Sequence, residues 1–288
     1  MRRSTVPLLL LLALVAGGCG KDAASQSAAA PGPERIVSLS PTATEMLFAI
    51  GAGGQVVAVD SNSNYPAEAP RTKLSAYQPN IEAIAGYKPD LVVYSDDPGE
   101  LKAGLDKLSI PALKQPAATR LEDTYAQLDQ LGKATGHVDE AGQLATTMRT
   151  EISKIAADRP ERPLTYYHEL DKNLYSATSK TFIGQLYGQL GMKNIADAAD
   201  KQASGYPQLS AEYVIKSDPD LIFLADTKCC AQSAATVAAR DGWGKLTAVR
   251  TGGVVELDDD VASRWGPRVV DFLKVVAAKV QALEAAGS

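Results

Sequence analysis

Two distant stretches of the chain follow one pattern, and this repeat constrains the fold more than any other feature. IEAIAGYKPDLVVYS begins at Ile81 and AEYVIKSDPDLIFLA at Ala211. In each, a glutamate (Glu82, Glu212) opens a short helical pattern and precedes Pro-Asp-Leu at the same spacing. Pro89 and Pro219 end the helices, because proline brings no backbone donor, and a run of strand-forming residues follows at once. A second echo pairs TEMLFAIG from Thr44 with TFIGQLYGQLG from Thr181, each ended by a glycine. Repeated units of this size imply a duplicated architecture.

Between the copies lies TGHVDEAGQLATTMRTEISKIAADRP. Apolar residues at Val138, Ala141, Leu144, Ala145, Met148, Ile152 and Ile155 trace one helical stripe. Asp139 and Glu140 near its start and Lys154 near its end suit the helix dipole, and Pro160 stops it. The spacing predicts a helix over 137–158, about 30 Å long. It reads as a strut joining two lobes, 34–136 and 160–288, with 137–159 as the connector. In both lobes short buried strands alternate with helices, as in RIVSL, QVVAVD and LVVYS before the strut and LTYY, LIFLA and VVEL after it. That alternation predicts an α/β fold with a parallel sheet in each lobe, facing across a cleft. Such sheets bind ligands outside the carboxyl ends of their strands.

The totals narrow the function. A length of 288 residues suffices for two cores, and 22% charged residues with a net charge of −5 leave no basic field for nucleic acid or anionic lipid. Three cysteines are too few for a disulfide-built fold and two histidines too few for a His-rich metal centre, so no resident metal or cofactor is expected. Catalytic signatures of the nucleophile-elbow, Walker and His-Glu-x-x-His kinds are absent, so no enzyme activity is expected. At the start, Arg2 and Arg3 precede an apolar run from Val6 to Val15, then Ala16, Gly17, Gly18 and Cys19. The run is too short to span a bilayer and reads as a signal peptide over 1–19. It resembles a bacterial lipobox, with Ala16 where leucine is common, which makes Cys19 the lipidation site. The segment 20–33, rich in Ala, Ser, Gly and Pro, reads as a flexible tether. An extracytoplasmic, lipid-anchored monomer follows from this pattern.

RIVSLSPTATEMLFAIGAG, NYP, PNIEAIAGYKPDLVV, TFIGQLYGQLGMKNIAD, AEYVIKSDPDLIFL and RWGPRVVDFL together resemble the helical-backbone substrate-binding proteins of ABC importers. That family carries ferric siderophores, haem or cobalamin. The likeness runs from Arg35 to about Leu283 and is nearest to cobalamin-binding members, through NYP, the aromatic before PNIE and GPRVVD. The resemblance implies two Rossmann-like lobes joined by one rigid helix, a bilobal periplasmic-binding fold. It also implies a permease and an ATPase as partners, with Glu82 and Glu212 gripping arginines on the permease.

Tyr77 precedes Glu82 by five residues and Tyr206 precedes Glu212 by six, where cobalamin binders of the family carry tryptophans. As a matched pair they predict facing aromatics for a flat ligand. Loop ends at the same cleft add Thr42, Asn62, Asn64, Tyr65, His168, Lys180, Cys230 and Trp265. Two of these have a second reading each: His168 as a solvated loop residue, and Trp265 as an anchor for the C-terminal helix. Adjacent Cys229 and Cys230, with no third cysteine once Cys19 is lipidated, predict a vicinal disulfide. Few of these groups carry charge, so cobalamin leads as ligand, a neutral or hydroxamate ferric siderophore follows and haem comes third. A metal-ion receptor, which needs more His or carboxylate ligands, and a surface-anchored enzyme or adhesion module are the alternatives.

Overall fold

A computed structural model describes residues 32–287. The signal peptide, Cys19 and nearly all of the tether lie outside the described residues. Four parallel strands, β1 (Ile36–Leu39), β2 (Val56–Val59), β3 (Leu91–Tyr94) and β4 (Ala112–Lys114), form one sheet in the order β2-β1-β3-β4. A second parallel sheet repeats that order, β6-β5-β7-β8, from β5 (Thr165–Glu169), β6 (Lys193–Asn194), β7 (Leu221–Leu224) and β8 (Val254–Glu256). The duplicated sequence therefore builds a duplicated topology, with β1 and β5 in equivalent places.

The helices that echo in sequence also correspond. In the first half, α1 (Pro41–Ala49) and α2 (Ile81–Ala85) precede α3 (Leu101–Lys107) and α4 (Leu121–Thr135). The long α5 (Val138–Ala157) comes next. The second half holds α6 (Phe182–Gln189), α7 (Ala211–Ser217), α8 (Thr227–Cys230), α9 (Ala234–Ala238), α10 (Thr247–Arg250), α11 (Asp259–Ser263) and α12 (Val269–Gly287). Each echo is capped alike. Ser40 and Thr181 accept the amides of Ala43 and Gly184 at the starts of α1 and α6, while Asn80 and Ser210 accept those of Ala83 and Tyr213 at α2 and α7. Side-chain caps satisfy donors that the helix itself leaves open.

The strut helix spans 20 residues, within one residue of the sequence reading at each end, but it does not stand alone. Gly136, at φ 83°, turns α4 back into α5. Gly132 lets the two helices meet, because a Cβ there would lie 2.6 Å from the Ala141 Cβ. Helix α5 also packs against α12, which in turn packs against α6. Ala141, Met148 and Ile152 are buried while Val138, at the head of the stripe, is half exposed.

Three apolar clusters result among the described residues. Each sheet has an outer core of its own, around Val92 and Leu105 in one and Ile222 and Trp243 in the other. The third runs without a break from Ile36, Met46 and Leu131 through Met148 to Leu186, Phe223, Phe272 and Val280. The inner faces of both sheets thus share one core, filled by α1, α4, α5, α6 and α12.

Candidate functional site

The chain enters the site at the carboxyl end of β1. Strand β1 brings Ser38 to its end, and Ser40 begins α1. The Thr44 hydroxyl donates to Ser38 Oγ at 2.9 Å and lies 3.0 Å from Ser63 Oγ, which donates to Asp60. Ser95, just past β3, donates to Ser40 Oγ at 2.7 Å. All of these hydroxyls except that of Ser95 belong to buried residues. Burial pushes the Asp60 carboxyl above its ordinary range, against the Ser63 hydroxyl and the Arg264 charge. This network fixes the loop after β2, which carries Asn62 and Asn64.

Above it opens a cavity of about 750 Å³. Thr42, Asn62, Asn64 and Tyr77 line it from the first half of the chain, and Asp260, Ser263, Arg264 and Trp265 close it from the second. Arg264 is the keystone between them. Its guanidinium donates to Glu45 Oε1 at 2.7 Å, Asn62 O at 3.0 Å, Asn64 Oδ1 at 2.9 Å and Asp260 Oδ1 at 2.8 Å. Arg268 adds a second grip on Glu45, with Nε 2.9 Å from Oε2, and covers the Tyr65 ring at 4.3 Å. Glu45 is buried, and two guanidinium groups offset the cost of burying its charge. Trp265 lines the cavity, and its Nε1 donates to Gln127 Oε1 of α4 at 2.9 Å.

The second sheet ends differently. Glu169, the last residue of β5, is fully buried and held by Arg240, with Nη1 2.6 Å from Oε2. Asp226, just after β7, is buried as well, and neither of its oxygens has a hydrogen-bond partner among the described residues. Burial, with the Glu169 charge beside it, pushes its carboxyl up to about 7. The Tyr167 hydroxyl is buried beside Glu169.

Five expected contacts do not line the cavity. His168 is the clear correction: it is fully buried in β5, its Nδ1 2.8 Å from Tyr187 Oη, and burial lowers it to about 4. It is a neutral core residue and not a rim contact. Tyr65 lies under Arg268, and Lys180 is exposed on the loop before α6. Tyr206, 53% exposed, lies on the loop entering α7, and Cys230 is half-buried in α8. Cys230 pairs with Cys229 in a vicinal disulfide. Glu82 and Glu212 are each the second residue of their helices, α2 and α7, and both are exposed. Bonds from its own amide and from Ser210 hold the Glu212 carboxyl below its ordinary range.

The sequence reading missed Glu45, Arg268, Asp60 and Asp260. Glu45 carried a signal, since a charge inside the apolar run TATEMLFAI demands a buried partner. Among the described residues no group of three or more His, Cys, Asp or Glu could hold a metal ion.

Comparison with known proteins places these observations in a setting. The chain matches the family model described as periplasmic binding protein over residues 36–261. It is 32% identical over 250 residues to the cobalamin-binding protein of Halobacterium salinarum, covering 83% of this chain and 67% of that one. It is 29% identical over 259 residues to the uncharacterized ABC transporter substrate-binding lipoprotein YvrC of Bacillus subtilis, covering 86% and 80%. The crystal structure of the periplasmic vitamin B12 binding protein BtuF of Vibrio cholerae superposes with a TM-score of 0.72 at 25% identity, covering 88% of this chain and 98% of that one.

Proposed function

The chain belongs to the periplasmic binding protein family, and from that premise we propose that it captures a corrinoid in its cleft and passes it to an ABC import permease. It is a substrate-binding protein and not an enzyme. One observation carries the choice of ligand. The cavity sets three carboxylates, Asp60, Asp96 and Asp260, against two guanidinium groups, Arg71 and Arg264. Arg264 spends its donors on protein acceptors, and Arg71 donates to Ser61 O at 3.1 Å. A tris-catecholate ferric siderophore carries three negative charges and needs several cations, whereas of the two here Arg264 is already paired with Glu45 and Asp260. The neutral donors Asn62, Asn64, Thr42 and Ser263 and the rings of Tyr77 and Trp265 suit a large uncharged chelate. The likeness to cobalamin-binding relatives supports the same ligand. A hydroxamate ferric siderophore is second and haem third.

Native mass spectrometry and tryptophan fluorescence with cyanocobalamin, haem and several ferric siderophores test this reading. Saturable binding of cyanocobalamin without turnover is expected, and tight binding of a tris-catecholate complex alone overturns it. Glu82 and Glu212, matched across the repeat, are the proposed permease grips; charge reversal of both to Arg should abolish uptake and leave ligand affinity intact. Normal transport by that variant removes the grip. Anchoring rests on Cys19: membrane fractionation of Cys19→Ala should show the protein released, and an unchanged membrane share would refute lipidation.

A further inference from the structure

The disulfide of Cys229 and Cys230 sits at the end of the one-turn helix α8. What holds that helix is α11. The Asp259 carboxylate accepts the amides of Thr227 at 2.9 Å, Lys228 at 3.0 Å and Cys229 at 3.0 Å, and the Thr227 hydroxyl at 2.8 Å. Lys228 reaches back, with Nζ 2.8 Å from Asp258 Oδ2 and 2.8 Å from Asp260 Oδ2. Asp258 caps α11 through the amides of Asp260 and Val261. Asp260 then bonds Asn64 at 3.0 Å and Arg264 at 2.8 Å, and all three line the cavity. A continuous run of polar contacts thus leads from the cysteine pair to the cleft wall.

We propose that the Cys229–Cys230 disulfide is a thiol-exchange site whose redox state sets how firmly α11 and the cleft wall are held. Cys229 is the exposed member and Cys230 is half-buried. A thiolate of a dithiol reductant attacks Cys229 Sγ, the S–S bond breaks, and Cys230 leaves as a thiolate that takes up a proton. The reductant's second thiol, losing its proton, attacks its own sulfur in the mixed disulfide. The reductant closes to a cyclic disulfide and Cys229 leaves as a thiolate that is protonated in turn. Two electrons and two protons pass to the protein. In a helix successive side chains point about 100° apart, so the oxidised ring fixes the end of this turn, and reduction frees it. With the turn released, Lys228 loses its fixed place over Asp258 and Asp260. These are exposed bridges, so the effect is graded, not all-or-none.

Hydrogen exchange read by mass spectrometry on the full chain, with and without dithiothreitol, tests this without any ligand. A free-thiol count on the native protein should rise by two after reduction. Exchange at residues 258–265 should then accelerate about fivefold, while β3, remote from the relay, stays unchanged. Lys228→Met keeps the disulfide and removes the lysine link while the Asp259 bonds stay; its α11 amides should exchange faster than wild type in the oxidised state and respond less to reduction. The Cys229→Ser, Cys230→Ser double variant should match the reduced protein, and if it fails to fold the wild-type comparison still decides. A disulfide that dithiothreitol leaves intact overturns the proposal. So does a response confined to residues 226–233, or one at α11 that is as large in Lys228→Met as in the wild type.

Discussion

At the carboxyl end of β1 the polar groups are hydroxyls, Ser38, Ser40, Thr44 and Ser63, bonded to one another and to Asp60. At the equivalent end of β5 they are charged or basic, with His168 and Glu169 in the strand and Asp226 and Arg240 beside them. Both sets are buried, Arg240 apart, yet they do opposite work. Neutral hydroxyls satisfy each other within a short reach and leave the end of their sheet open, so a cavity forms above it. At β5 the Glu169 carboxylate is paired with Arg240, since a buried carboxylate must keep its counter-ion, while Asp226 lies beside them with no carboxyl hydrogen bond among the described residues. A duplicated fold therefore supplies two equivalent strand ends, and the polar residues decide which becomes the floor of a cavity.

The largest test of this contrast removes a partner from each end. Arg240→Ala leaves Glu169 and Asp226 buried without their cation and should cost about 3–5 kcal/mol in urea unfolding. Ser63→Ala at the other end removes the bond to Asp60 and the contact with Thr44 and should cost about 1.5–3 kcal/mol. Equal losses would break the contrast.

Next comes pH. Asp226 is raised to about 7 in the fold from its ordinary value of 3.8, so the folded state binds its proton more tightly and its contribution is lost as pH rises from about 4 to about 7. His168 is lowered to about 4 from 6.5, so the unfolded state holds that proton and its contribution is lost as pH falls over the same window. The two slopes oppose each other. Relative to wild type, Asp226→Asn should gain stability with rising pH by about 1.4 kcal/mol per unit between about pH 4 and pH 6.5, and His168→Gln should lose it at that rate. Urea midpoints measured across that range decide the signs, and parallel curves for all three proteins would remove both assignments.

The finest test is at the rims. Tyr77 lines the cavity and Tyr206 does not. Titration with cyanocobalamin should show Tyr77→Ala weakening binding by about 1–3 kcal/mol and Tyr206→Ala by less. Tyr77 is 76% exposed and Tyr206 53%, so neither change should shift stability by more than about 0.5 kcal/mol. Equal losses of affinity would instead favour a ligand held symmetrically between both rings.

The framework was legible because local signals were strong. Helix α7 stops two residues before Pro219 and α2 four residues before Pro89, and the apolar runs of β3 and β7 could only be buried strands. Helix α5 showed in its own periodicity. The site was less legible because its bonds join residues far apart in sequence. His168 and Glu169 looked like the start of a polar loop, since nothing nearby could pair them. Their partners, Tyr187 and Arg240, come from α6 and the segment after α9. Glu45 finds its partners only in Arg264 and Arg268. The two-residue β6 was too short to leave a pattern.

The core shared by both sheets bears on how the chain is made. Helix α12, the last element, buries Val269, Phe272, Leu273, Val276 and Val280 against the same cluster that holds Ile36 and Met46. A chain emerging from its amino end can pair β1 to β4 early, but the inner face of that sheet stays partly bare until the final helix arrives. Neither half can be finished before the whole is present. Assembly is thereby tied to completion, and a product cut short before residue 269 would carry an uncovered apolar surface, open to proteases instead of ligand.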